Sequence, residues 1–226
     1  MRVEDSARLI FHRFDGHSRT EYDRFMNLPE QAASAIVLAG GQSRRMGRDK
    51  ALIDFEGKPI IARVIDTLHA LTDDVVVVSN RLDVYSSFGA RVVPDYDPPC
   101  GPLGGIAVGL QATTHELAVV VACDMPFLNV MLLRWLIDLA AGVDAVVPQT
   151  NAEFEPLHAV YRRNCHGPIV QRLERGERRV ISFFADIRLR AVPEPEWRAL
   201  DPAGRSLVNL NTPHDFDVLS APGGNE

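Results

Sequence analysis

Leu38-Ala39-Gly40-Gly41-Gln42-Ser43-Arg44-Arg45-Met46-Gly47-Arg48-Asp49-Lys50 sets two adjacent glycines ahead of four cations. Glycine lets main-chain amides approach phosphate oxygens closely, and Arg44, Arg45, Arg48 and Lys50 supply positive charge. In physical terms this is a phosphate-binding loop. It is not a Walker A loop, because Lys50 stands three residues past Gly47 and no Lys-Ser/Thr pair follows, and it is not G-x-G-x-x-G. A second segment, Val121-Ala122-Cys123-Asp124-Met125-Pro126, ends an apolar run in a carboxylate. Mg2+ takes one or two carboxylates together with phosphate oxygens and water, and Asp124 would supply one. An isolated Asp also serves as a helix cap or ion-pair partner, although Pro126 keeps a helix from starting at once. A third segment, Asp95 to Leu103 (DYDPPCGPL), offers rigid Pro and Gly backbone that can face the edge of a base, or is a plain loop. A fourth holds Asn209 and Asn211, two amides that project the same way from an extended stretch towards ligand or metal, unless they only form a turn ahead of a helix.

These segments meet only if strands end beside one another. Ala35 to Ala39 reads as a short buried strand, Pro59 to Leu71 as a helix with Pro in its first turn, and Val75 to Val78 as a strand apolar on both faces. Ala90 to Pro94 and Leu117 to Cys123 continue as strands, with a helix from Gly104 to Ala112 between them. A helix at Leu128 to Ala141 and a strand at Asp144 to Pro148 follow. Strand and helix alternating in this way predict βαβ units, an α/β domain and a mostly parallel sheet, whose ligands bind at the carboxyl ends of the strands. Beyond residue 148 the pattern loosens. Leu157 to Tyr161 is expected as a strand, Asn164 to Arg175 and Val180 to Asp186 as helices, and Arg188 to Val192 as an edge strand. Pro213 to Leu219 is expected as a closing helix capped by Thr212. Residues 1–33 differ from the rest, being charged and broken by Gly16 and Pro29. They are expected to form a poorly ordered or loosely docked extension to a single domain spanning 34–221, with Phe11, Phe14 and Phe25 available for contacts.

Composition narrows the function classes. The 226 residues are 46% hydrophobic and 24% charged, which excludes disordered, collagen-like and coiled-coil chains. No apolar run reaches the ~20 residues of a membrane helix. A formal charge of −6 argues against a nucleic-acid coat or an anionic-membrane binder, while leaving room for one small anion in a local basic site. Three widely separated cysteines do not make a disulfide framework, and the first residues contain no apolar signal segment, so the cytoplasm is expected.

From about Ala35 to Leu219 these segments, in this order, are similar to the molybdenum cofactor guanylyltransferase family of the nucleotidyltransferase superfamily. LAGGQSRRMGRDKAL carries the superfamily resemblance. Asp49-Lys50, GPLGGI at 101–106, CDMPF at 123–127, GERRV at 176–180 and NLNTP at 209–213 carry the narrower one. The resemblance implies a three-layer Rossmann-like nucleotidyltransferase fold, with GTP and molybdenum-molybdopterin as substrates and Mg2+ as cofactor. It further implies transient contacts with cofactor-biosynthesis or molybdoenzyme-maturation proteins, and neither nucleic acid nor membrane as partner. Leu38, Ala39, Gly40 and Gly41 would meet GTP through the backbone, and Lys50 would meet its phosphates. Asp95 would contact the nucleotide, and Asp124 both GTP and Mg2+. The family's Asn at the end of the second strand falls on Val78, with Asn80 two positions on, so that contact is not expected. The terminal phosphate of the pterin would attack the α-phosphorus of GTP in line, with Lys50 and Arg44 or Arg45 stabilising the departing pyrophosphate and no nucleophilic Ser, Cys or His required. His158 and Cys123 are expected to be structural. A dianionic acceptor needs a second cationic patch, and Arg178 and Arg179, beside Asn209 and Asn211, are the candidates, against a solvated helix end. A cytidylyltransferase and a nucleotide-handling protein without turnover remain the competing readings.

Overall fold

The computed structural model describes residues 32–40 and 49–210. Its central sheet has the path β10-β7-β9-β6-β1-β4-β5. The strands are β1 (Ala33–Leu38), β4 (Val75–Val78), β5 (Arg91–Val93), β6 (Leu117–Ala122), β7 (Ala145–Thr150), β9 (His158–Arg162) and β10 (Leu189–Val192). Along this path β9 alone is reversed, pairing antiparallel with both β6 and β7, and the other pairs are parallel. The expected mostly parallel α/β sheet is therefore present.

Helices cover both faces. On one side α1 (Ile60–His69) and α4 (Val130–Asp138) bury Ile61, Ile65, Leu68, Leu133 and Leu136 against Ala35, Val37, Val77 and Val119. On the other, α3 (Gly101–Ala112) and α5 (His166–Glu174) bury Leu103, Ile106, Leu110 and Ile169 against Ile36, Val76 and Val120. Side chains alternate across a strand, so β1 feeds both cores and is apolar from Ala35 to Leu38, while buried Ser34 ahead of them satisfies its hydroxyl on Asp74 at 2.6 Å. Two short helices complete the set, α2 (Leu82–Tyr85) and α6 (Glu194–Trp197).

Several expected boundaries move for identifiable reasons. The helix expected from Gly104 begins at Gly101, because Pro102 is harmless in a first turn, where its missing N–H has no helical partner. Only Asp95 to Cys100 of the third segment is therefore loop. Glycine is a poor helix former, yet α3 keeps two, Gly105 and Gly109, where it faces β1. A Cβ on Gly109 would lie 2.5 Å from Ile36 Cγ2, and one on Gly105 3.1 Å from Leu38 Cδ2, so bare glycines let the helix sit down on β1. Pro59 precedes α1 and closes an unforeseen hairpin of β2 (Asp54–Phe55) and β3 (Lys58–Pro59). A second unforeseen hairpin joins β7 to β8 (Glu153–Phe154) through Asn151 and Ala152, both at positive φ as a tight two-residue turn requires. Residues 180–186 form a 3₁₀ helix, and β10 lies at the sheet edge beside β7 as expected. Ala33 belongs to β1, where it pairs with Leu117, not to the expected extension. The rest of that extension to residue 31, and the closing helix with Thr212, lie outside the described residues.

Candidate active site

Four parallel strands, β1, β4, β5 and β6, deliver their carboxyl ends to one edge of the sheet. Main-chain bonds tie these ends together: Ala39 N donates to Val78 O at 3.1 Å, Cys123 N to Leu38 O at 3.2 Å, and Ser79 N to Val93 O at 2.9 Å. Leu38 and Ala39 are buried as the last ladder residues, and Gly40 emerges exposed. Asp95 reaches Gly40 from the end of β5. A Cβ on Gly40 would stand 3.3 Å from Asp95 Oδ2, so a side chain there would crowd the carboxylate. Burial raises the Asp95 pKa above its ordinary value, opposed by the Tyr96 amide that donates to Oδ1 at 2.8 Å.

The charge of Lys50 is felt at Asp124. Lys50 opens a 3₁₀ turn, Lys50–Leu52, held by the fully buried Ala51 and capped by Asp49, whose Oδ1 accepts from Ala51 N at 3.1 Å. Asp124 follows β6 and is half-buried. Desolvation raises its pKa, while its own amide and the positive charge of Lys50 favour the carboxylate. The second half of the chain joins at the same point, where Leu210 N donates to Asp124 O at 2.9 Å and so brings half-buried Asn209 beside it. Among the described residues no group of three His, Cys, Asp or Glu side chains could hold a metal ion.

The cationic patch of the second half divides. Arg163, just ahead of α5, donates its amide to Glu116 O at the start of β6, so α5 begins at the opposite edge of the sheet. Its nine residues span about 14 Å along the axis before the 175–179 turn. Within that turn Arg178 Nη1 donates to Leu173 O at 2.9 Å and Glu177 O at 3.0 Å. Arg178 thus caps the helix end, the structural alternative weighed for it, whereas exposed Arg179 makes no side-chain hydrogen bond among the described residues. Gly41, Arg44, Arg45 and Asn211 lie outside the described residues. An open cavity of about 370 Å³ between the end of β5 and α3, lined by Pro94, Asp95, Tyr96, Val108 and Gln111 among others, shares only Asp95 with the expected site.

Val78, in the column where the family carries Asn, is buried in the sheet. Asn80 beyond it donates to Tyr96 O at 3.3 Å, joining its turn to the Asp95 loop. Cys123 keeps a protonated thiol, because burial raises its pKa and the carboxylates of Asp124 and Asp49 add to the effect. Sequence reasoning missed Tyr85 and Arg81, both of which bond the Asp49 carboxylate. Their only signal was an aromatic and a cation shortly after β4, too common a pattern to single out.

With this geometry in hand, comparison with known proteins is informative. Residues 35–191 match the family model of the MobA-like NTP transferase domain. The chain is 36% identical over 184 residues to a probable molybdenum cofactor guanylyltransferase of Pelotomaculum thermopropionicum, covering 81% of this chain and 90% of that one. It is 36% identical over 192 residues to the molybdenum cofactor guanylyltransferase of Desulfosudis oleivorans, covering 84% and 95%. The crystal structure of molybdopterin-guanine dinucleotide biosynthesis protein A from Archaeoglobus fulgidus superposes with a TM-score of 0.72 at 27% identity, covering 81% of this chain and 95% of that one. The match therefore spans nearly the whole length of these relatives, and the strand ends that gather Gly40, Lys50, Asp95 and Asp124 all fall within it. The chain belongs to the molybdenum cofactor guanylyltransferase family of MobA-like NTP transferases.

Proposed function

We propose that this nucleotidyltransferase transfers GMP from GTP to the terminal phosphate of molybdenum-molybdopterin, forming molybdopterin guanine dinucleotide cofactor. A pterin phosphate oxygen forms the new bond to the α-phosphorus, the bond from that phosphorus to the β-phosphate oxygen breaks, and pyrophosphate leaves with the electron pair. The observation that carries this reading is the Lys50 charge acting on half-buried Asp124 at the carboxyl edge, within a chain 36% identical to relatives of that name. Little covalent work falls to the protein, so positioning and charge neutralisation dominate. Gly40 brings bare backbone to the nucleotide beside Asp95, and Lys50 neutralises the departing phosphates with Arg44 or Arg45. Asn209 and Arg179 orient the acceptor, with Asn211 and Arg178 adjoining them.

The residues present suit Mg2+. Asp124 is a desolvated carboxylate whose raised pKa marks a demand for positive charge, and a hard divalent cation shared with nucleotide phosphates needs only one or two such ligands. Asp124 would hold the ion, which when bound neutralises phosphate oxygens. Among the described residues no helix is long and apolar enough to cross a membrane. Cys100, Cys123 and Cys165 are free thiols.

The test is pyrophosphate release with each of the four nucleoside triphosphates, Mg2+ and molybdopterin. Release with GTP alone is expected. Release with CTP reassigns the base, and release with none leaves a nucleotide-handling protein.

A further inference from the structure

The Asp49 carboxylate is tied more firmly than a turn cap requires. Capping the turn at Lys50–Leu52 uses one oxygen, Oδ1, towards Ala51 N. The other, Oδ2, accepts from the Tyr85 hydroxyl at 2.6 Å and pairs with the Arg81 guanidinium, both from the connection after β4, more than thirty residues away in sequence. Tyr85 is 1% exposed, and the phenol that reaches Asp49 is anchored in the core. Its pKa is raised, first by burial and then by the Asp49 charge, so it remains a donor. Arg81 is the exposed member of the trio, its side chain 53% accessible.

We propose that Asp49, locked by Tyr85 and Arg81, is the positioning residue for Lys50. The residue on each side of Lys50 is immobilised, Asp49 by these bonds and Ala51 by complete burial. Leu52 N and Ile53 N close the turn on Asp49 O and Lys50 O, each at 3.1 Å. The lysine backbone is therefore held at both ends, and its charge acts on Asp124 and Cys123 at the end of β6. Charge balance needs the same arrangement. An unpaired carboxylate next to the lysine that receives phosphates would repel them, and Arg81 cancels that charge while bonding the same oxygen. Anchoring one end of this lock on α2 makes the β4 connection a support for the phosphate site. A long flexible lysine side chain loses less freedom on binding when its backbone is already fixed, which is the physical gain.

This inference rests on Lys50 as the residue that meets GTP phosphates, and its test separates the two. GTP affinity in the presence of Mg2+ is measured calorimetrically, without pterin, for the parent, Tyr85→Phe, Lys50→Ala and the double variant. Tyr85→Phe deletes one hydroxyl and is expected to weaken GTP about tenfold, the scale of one lost hydrogen bond to a charged group. In the Lys50→Ala background the same change is expected to alter affinity less than about twofold, because the group it positions is gone. Equal weakening in both backgrounds, or none in the parent, overturns the positioning role and leaves Lys50 in place. Unchanged affinity in Lys50→Ala overturns the reading of Lys50 and this role with it. Should Tyr85→Phe fold poorly, Arg81→Lys, which keeps the positive charge and removes the guanidinium that holds Asp49, repeats the cycle with the same expectation.

Discussion

His158 makes the pH dependence of stability calculable. It sits fully buried on β9 opposite Val121, and neither ring nitrogen has a hydrogen-bond partner among the described residues. Desolvation lowers its pKa to about 4, opposed first by its own main chain and then by the negative charge of Asp201. The unfolded chain binds that proton near pH 6.5, so between these values the unfolded state carries more protons and folding stability falls as the pH falls. With a shift of this size the loss from His158 alone is roughly 2–3 kcal/mol at about pH 4.5, and close to zero at about pH 7.5. Leu at this position removes both the titration and an unsatisfied buried polar group, and it places an apolar side chain of similar size on the face of β9 that buried Val160 shares. Urea denaturation of parent and His158→Leu at both pH values gives the comparison. The gap between them should widen in favour of the variant by that amount on acidification, since carboxylates such as Asp74 and Asp144 titrate alike in both proteins. Parallel loss of stability would refute the reasoning, because it would mean the imidazole is solvated or protonated in the folded state.

Three further outcomes are expected. Gly109→Ala places a Cβ against Ile36 and should destabilise by about 1–3 kcal/mol, and Ile36→Ala in the same chain should recover part of that loss in chemical denaturation. Asp124→Asn should depress turnover and raise the Mg2+ concentration needed for half-maximal activity. In the parent at limiting Mg2+, the acid limb of activity should lie above the ordinary aspartate range and move down as Mg2+ is raised, because the metal competes with the proton; a metal-independent profile would place the ion elsewhere. Arg179→Ala should raise KM for molybdopterin with GTP affinity nearly unchanged, whereas Arg178→Ala should act mainly on melting temperature, since its guanidinium caps α5.

The parallel sheet was readable because its strands are apolar on both faces. Val75–Val78 and Leu117–Ala122 are runs that only a doubly covered strand explains. Gly40, Lys50, Asp95 and Asp124 were readable because each follows such a strand or the loop attached to one. The two hairpins were not, as β2, β3 and β8 are each two residues long and too short to show a period. The start of α3 was obscured by Gly101 and Pro102, which continue the look of a loop although a proline is harmless in a first turn. Arg178 shows the same limit at the site: nothing local separates a guanidinium that caps its own helix from one that awaits a phosphate. Tyr85 and Arg81 acquire their role only through a fold that carries them to Asp49.

The reversal of β9 has a consequence for how the chain is made. By Ala122 a ribosome has supplied β5, β4, β1 and β6 with α1 and α3, enough for a parallel half-sheet to collapse. The strand at its open margin is then β6, which becomes interior when the sheet is complete. Its partner is finished only at Arg162, about forty residues later, at synthesis rates that leave the margin bare for seconds. An apolar, unpaired margin of that kind invites pairing with another nascent chain. The connection from β6 to β9 is therefore a window of exposure during synthesis, and substitutions that weaken β7 or β9 should reduce the yield of folded chain before they reduce the activity of the molecules that complete the sheet.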